Sequence, residues 1–148
     1  MFKSKTISIA IYRPFDEVYE FLAEPRNFPS WASNLGPDFV QLNETDWATT
    51  TRNGRLILRF ARRNAYGVLD HEVFLEGKMI ITTPMRLIAN DEGCEIIYTQ
   101  LQRPGMSEAS FESEVEWVKS DFEALRSLLE SRAVEEEVVF EEGDDERG

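Results

Sequence analysis

Apolar and polar residues alternate near the start of the chain: Ile7, Ile9 and Ile11 are interleaved with Ser8, Ala10 and Tyr12. Side chains of a strand point to its two faces in turn, so Thr6–Tyr12 is expected to be a strand with one apolar face. Arg13-Pro14 ends it. Proline suits the opening of a helix, where the first N–H groups have no partner, and Asp16 and Glu17 follow where negative charge complements the helix dipole. Phe15, Val18, Phe21 and Leu22 recur at helical spacing until Glu24-Pro25, since the residue before proline disfavours the α conformation. A second short helix is expected within Phe28–Leu35, closed by Gly36 and Pro37.

The period then changes to that of strands. Phe39–Leu42, Trp47–Thr51, Arg55–Arg62, Val68–Leu75, Met79–Ala89 and Cys94–Leu101 are expected strands, separated by short polar turns. Asn53-Gly54 is the strongest hairpin signal, because a type I′ turn needs positive φ at both central residues. A long helix follows, with Ser107 as its N-cap. Phe111, Val115, Val118, Phe122, Leu125 and Leu129 step by three and four residues, an apolar stripe that ends near Arg132. The order strand, two short helices, a run of antiparallel strands and one long helix implies an α+β domain. An antiparallel sheet of six to seven strands curls around the C-terminal helix, after two short helices. A space can remain between the concave sheet and that helix.

Charge divides the chain in two. Eight acidic residues and one arginine between Ala133 and Gly148 put −7 there and leave −5 on the rest, out of −12 in total. The expected organisation is one domain over 1–132 and an acidic, disordered tail over 133–148, with Val138–Phe140 as its one apolar patch. An acidic body argues against nucleic-acid binding and against docking on anionic lipid. The apolar run from Ile7 to Tyr12 is too short for a signal peptide core or a membrane span, and no stable membrane insertion is expected. Cys94 is the one cysteine, which excludes an intrachain disulfide and is compatible with the cytoplasm. One Cys and one His make a zinc site improbable, and nucleotide, P-loop, HExxH and CxxC motifs are absent, so no metal or cofactor is expected.

The stretch Ile9–Trp31, IAIYRPFDEVYEFLAEPRNFPSW, resembles the N-terminus of the SRPBCC superfamily, the polyketide cyclase/dehydrase and START-like group with the Bet v 1-like helix-grip fold. Pro14, Val18, Phe21, Leu22, Pro25, Phe28, Pro29 and Trp31 carry the likeness. Gly67–His71 and Pro84–Asn90 also resemble stretches of bacterial members. The resemblance implies a cavity between the long helix and the sheet, apolar molecules or lipids as cargo, and no shared catalytic motif. Many members pair as dimers, and exposed strand edges permit a homodimer.

The candidate site residues follow from facing. His71, the one histidine, shares a strand face with Leu69, Val73 and Leu75, which places it on the concave side. There it can hydrogen-bond a ligand or act as a general base; the plainer reading is an imidazole satisfied by its own backbone. Arg62 shares a face with Leu56, Leu58 and Phe60 and can point inward to hold an anion, unless a bulge turns it to solvent. Arg86 lies among apolar residues and needs an acidic partner or a ligand anion. Trp31, Trp47 and Tyr98 are amphipathic aromatics suited to a pocket wall, as are Tyr66 and Trp117. Met106 can offer an adaptable lining in a gating loop, and Phe111, Val115 and Val118 present the helix stripe to the ligand.

Three functions are open to such a chain. The first is binding of a small hydrophobic molecule in the cavity. The second is a cofactor-independent cyclase or dehydrase, in which His71 and Arg62 or Arg86 converge on one point. The third is an interaction protein whose acidic tail docks a basic partner.

Overall fold

The computed structural model describes residues 1–33 and 35–132. Among these, eight strands and two α-helices follow one another as β1 (Ser4–Ile11), α1 (Phe15–Ala23), β2 (Val40–Gln41), β3 (Asp46–Thr51), β4 (Gly54–Phe60), β5 (His71–Leu75), β6 (Lys78–Thr83), β7 (Met85–Asn90), β8 (Gly93–Leu101) and α2 (Glu108–Arg147), whose described part ends at Arg132. A 3-10 helix, Pro25–Ser30, follows α1. The expected tail over 133–148 lies outside the described residues.

The strands form two antiparallel sheets, one of three strands in the order β1-β8-β7 and one of five in the order β2-β3-β4-β5-β6. The expected single strand Met79–Ala89 is two strands, which raises the count above the six to seven expected. Pro84 is the reason: proline has no N–H for the ladder and a fixed φ. At Pro84 the chain leaves β5, its partner up to Thr83, and takes β8 as partner from Met85. The Pro84 carbonyl stays tied across the gap, accepting from Thr99 N at 3.1 Å.

The expected strand Val68–Leu75 begins three residues later, at His71. Asn64 organises the chain before it. Its Oδ1 accepts from the backbone of Tyr66 and Val68, both at 3.0 Å, and its amide donates to the carbonyls of Arg62 and Val68. This loop docks on β7: Leu87 N donates to Gly67 O at 2.8 Å and Leu69 N to Met85 O at 2.9 Å. Gly67 has φ +71°, and a Cβ there would sit 2.1 Å from the Leu87 carbonyl oxygen, so the approach requires glycine.

Two local expectations are corrected. The second short helix starts at Pro25, where the Glu24 carboxylate accepts from Arg26 N, and not within Phe28–Leu35. The hairpin after β3 turns at Arg52-Asn53, because Thr51 pairs with Gly54 and Gly54 already belongs to β4. Positive φ at both central positions occurs instead at Glu76-Gly77, between β5 and β6. At the long helix, Ser107 Oγ accepts from Ser110 N at 3.1 Å, the bond of an N-cap.

The dry core is built on the three-stranded sheet. Ile7, Ile9 and Ile11 from β1, Met85 and Leu87 from β7, and Cys94 and Ile96 from β8 face Phe111, Val115, Phe122, Leu125 and Leu129 of α2, with Val18 and Tyr19 of α1 closing one side. No residue of β2 to β6 belongs to this cluster. Among the described residues no helix is long and apolar enough to cross a membrane.

Candidate functional site

A cavity of about 1500 Å³ lies between α2 and the five-stranded sheet. Its floor is the inward face of the central strands: Leu56 and Leu58 of β4, Val73 and Leu75 of β5, and Ile81 of β6. These residues meet because the register pairs Leu56 with Leu75 and Leu58 with Val73, which puts them on one face of the sheet. The roof is the side of α2 that carries Glu114, Trp117, Val118 and Asp121. The segment Leu35–Asp38, the Arg52-Asn53 turn and Arg103-Pro104 form the mouth. Ser33 fastens one wall to the roof, its Oγ donating to Asp121 Oδ1 at 2.9 Å.

A line of polar groups crosses this apolar hollow. His71 and Thr83 are cross-strand partners on the inward face, 9% and 3% exposed. The Thr83 hydroxyl stands beside the Tyr98 phenol and favours its ionised form, against the larger effect of burial. The Tyr98 hydroxyl donates to Gln100 Oε1 at 3.3 Å, and Gln100 Nε2 donates to Glu114 Oε2 at 3.0 Å. Glu114 then holds Arg103, with Nη2 to Oε1 at 2.9 Å. The hydrogen-bonded chain thus runs from Tyr98 to a guanidinium at the rim, with Thr83 and His71 beside its buried end.

His71 stands between two rings, with Phe28 edge-on at 5.9 Å and Phe60 at 5.7 Å between centroids. Burial among them pushes its pKa below the usual 6.5, against the weaker opposing pull of the Leu69 carbonyl and Asp70. The ring is therefore neutral at pH 7. Its Nδ1 lies 3.4 Å from Leu69 O, which makes Nδ1 the donor and leaves Nε2 an acceptor. Among the described residues no partner reaches Nε2, and it is not sealed off, since the one fully buried, unpartnered side-chain nitrogen or oxygen among them is Nε1 of Trp47. Burial also pushes the Tyr98 phenol up to about 12 and the Cys94 thiol up to about 11. Cys94 belongs to the dry core and is no nucleophile at neutral pH.

Of the expected site residues, His71, Tyr98, Trp117 and Val118 line the cavity, whereas Tyr66 is exposed outside it. Phe111 and Val115 are consumed by the dry core, and Met106 packs against its edge. Trp31 stacks on Phe122 at 5.9 Å, outside the lining. Trp47 lies under Phe39 at 5.0 Å, with the Arg26 guanidinium over its ring. The facing inferred for Arg62 is corrected: β4 ends at Phe60, so the strand alternation does not reach it, and its side chain is 69% exposed beside Glu44. Arg86 points away from the buried Met85 and Leu87 and pairs with Asp70, whose Oδ1 also accepts from Met85 N. His71, Arg62 and Arg86 therefore open onto different surfaces, and the convergent His–Arg arrangement does not exist.

Facing alone left several lining groups unnamed. Thr83 and Gln100 are polar residues at inward positions of apolar strands, a signal that alternation carries but that needed the break at Pro84 to be read. Phe28, Arg103 and Glu114 reach the cavity from a 3-10 helix, a loop and the polar side of α2, and no periodicity marks them.

No family model matches the chain, and no curated protein matches it by sequence. Solved structures share its fold. An uncharacterised protein from Bacillus thuringiensis superposes with a TM-score of 0.67 at 12% identity, over 85% of this chain and 98% of the other. Ara h 8.0201 gives 0.64 at 10% identity, over 88% and 99%. Norcoclaurine synthase from Thalictrum flavum, solved in complex with dopamine and hydroxybenzaldehyde, gives 0.62 at 10% identity, over 88% of each chain. Identities this low carry the fold alone, and the fold is the Bet v 1-like helix-grip α+β arrangement.

Proposed function

We propose that this chain binds a small, largely apolar molecule in the hollow between α2 and the five-stranded sheet. The observation that carries the reading is the cavity itself: about 1500 Å³ over a floor of Leu, Val and Ile side chains, with a few convergent polar groups along one wall. The apolar floor gains when a ligand covers it and excludes water, and the polar wall supplies orientation. The same fold holds small aromatic molecules in norcoclaurine synthase, which supports the reading by analogy.

Native mass spectrometry of freshly purified protein tests it. The expected result is a population heavier than the chain by the mass of one small molecule, lost on organic extraction and regained on adding the extract back. A chain that carries nothing and takes up no apolar probe would overturn the reading.

A second reading, acid–base catalysis on the bound molecule, is favoured by the unpartnered Nε2 of His71. A neutral imidazole in an apolar site can accept a proton from a bound substrate. Chemical change of the extracted molecule on incubation with the protein, lost in His71→Phe, would move this reading to first place.

A further inference from the structure

The buried end of the cavity has a hydrogen-bonding polarity, and it is one-sided. The imidazole and phenol donors along the wall are already engaged, His71 Nδ1 with Leu69 O and the Tyr98 hydroxyl with Gln100 Oε1, and the Thr83 hydroxyl stands beside the Tyr98 phenol. What His71 offers to a guest is the lone pair of Nε2, on a side chain more than nine-tenths buried. Among the described residues no cation stands there: Arg62 and Arg86 are outside, paired with Glu44 and Asp70, Arg103 is at the rim in the grip of Glu114, and Arg52 belongs to the turn at the mouth.

We propose that the cavity selects apolar molecules whose buried end is a neutral hydroxyl, the O–H donating to Nε2 of His71. A ligand ending in a carboxylate would bury its charge with no counter-charge at that end, and one ending in an ether or ketone would set lone pair against lone pair. Either leaves buried polar atoms unpaired, which costs more than the missing bond alone. A site built around a substrate hydroxyl rejects analogues that lack it for this reason. The inference rests on the ligand-binding reading above and names the class of ligand.

The test compares three probes of matched apolar body, 4-octylphenol, 4-octylanisole and 4-octylbenzoate, titrated calorimetrically into the full chain at pH 8. The phenol is expected to bind at least about tenfold more tightly than either of the others. In His71→Phe the preference for the phenol over the anisole is expected to shrink to within about threefold, because the lone pair that favours the one and opposes the other is gone. Equal binding of phenol and anisole, or tighter binding of the benzoate, would overturn the hydroxyl selection and leave the cavity reading standing. Binding of none of the three would overturn both. The comparison on the unsubstituted chain decides the matter even where the His71 variant does not fold.

Discussion

The two sheets make opposite use of one helix. The three-stranded sheet receives the apolar stripe of α2: Phe122 and Leu125 are buried to 1% and 0% exposure against Ile11, Leu87 and Ile96. The five-stranded sheet receives the neighbouring side of the same helix, where Glu114, Trp117, Val118 and Asp121 stand. That side carries Glu114 and Asp121, and its Trp117 stays half exposed, so the space above Leu58 and Val73 is left unfilled. One packed half holds the fold together, and the other half is free to hold something else. The difference teaches that a cavity needs no special scaffold. It needs a helix whose stripe is narrower than the sheets that wrap it.

This contrast can be broken by substitution. Phe122→Ala empties the dry half and is expected to cost about 3–5 kcal/mol in urea denaturation. Val73→Phe adds bulk to the hollow half, where there is room. It is expected to cost less than about 1 kcal/mol, yet to abolish co-purification of a small molecule in native mass spectrometry. Equal losses of stability from the two would mean that the hollow is packed in solution.

A third prediction concerns pH. The unfolded chain protonates His71 near 6.5, whereas the folded chain resists protonation until lower pH because burial disfavours the imidazolium. Stability is therefore fully present above pH 6.5 and declines as pH falls from there through the lowered folded value. His71→Phe is expected to flatten that decline in denaturation series between pH 7 and 5. At still lower pH a second loss is expected from Asp46, held down at about 2 mainly by hydrogen bonding to Arg59. Its contribution is intact above 3.8 and fades as pH falls through 2, and Asp46→Asn removes this second slope. The smallest effect is expected at Arg62→Ala, within about 0.5 kcal/mol and with ligand retention unchanged, because its ion pair is exposed on both sides.

Much of the architecture was legible along the chain because its signals are local. Alternation at Ile7, Ile9 and Ile11 marks β1, the stripe from Phe111 to Leu129 marks α2, and His71 is correctly placed on the face of Val73 and Leu75. The misreadings share one cause. Arg62, the Met79–Ala89 strand and the start of β5 all depended on where a strand stops, and strands stop for reasons outside their own period. Pro84 ends one ladder, and the Asn64 loop, seated on Leu87 through Gly67, delays another. Arg62 looked inward only as long as alternation was carried past Phe60.

What the amino-acid order determined by itself was the set of elements and the faces they must bury, since each follows from side-chain polarity repeated at the period of a strand or a helix. The tertiary structure decided which sheet would take the stripe of α2 and which would be left open. It alone brought Thr83, Tyr98, Gln100, Glu114 and Arg103 into one line ending beside His71. Those residues lie far apart along the chain on different elements, and contact between them is set by the way the sheets curl around the helix, a property no local period encodes.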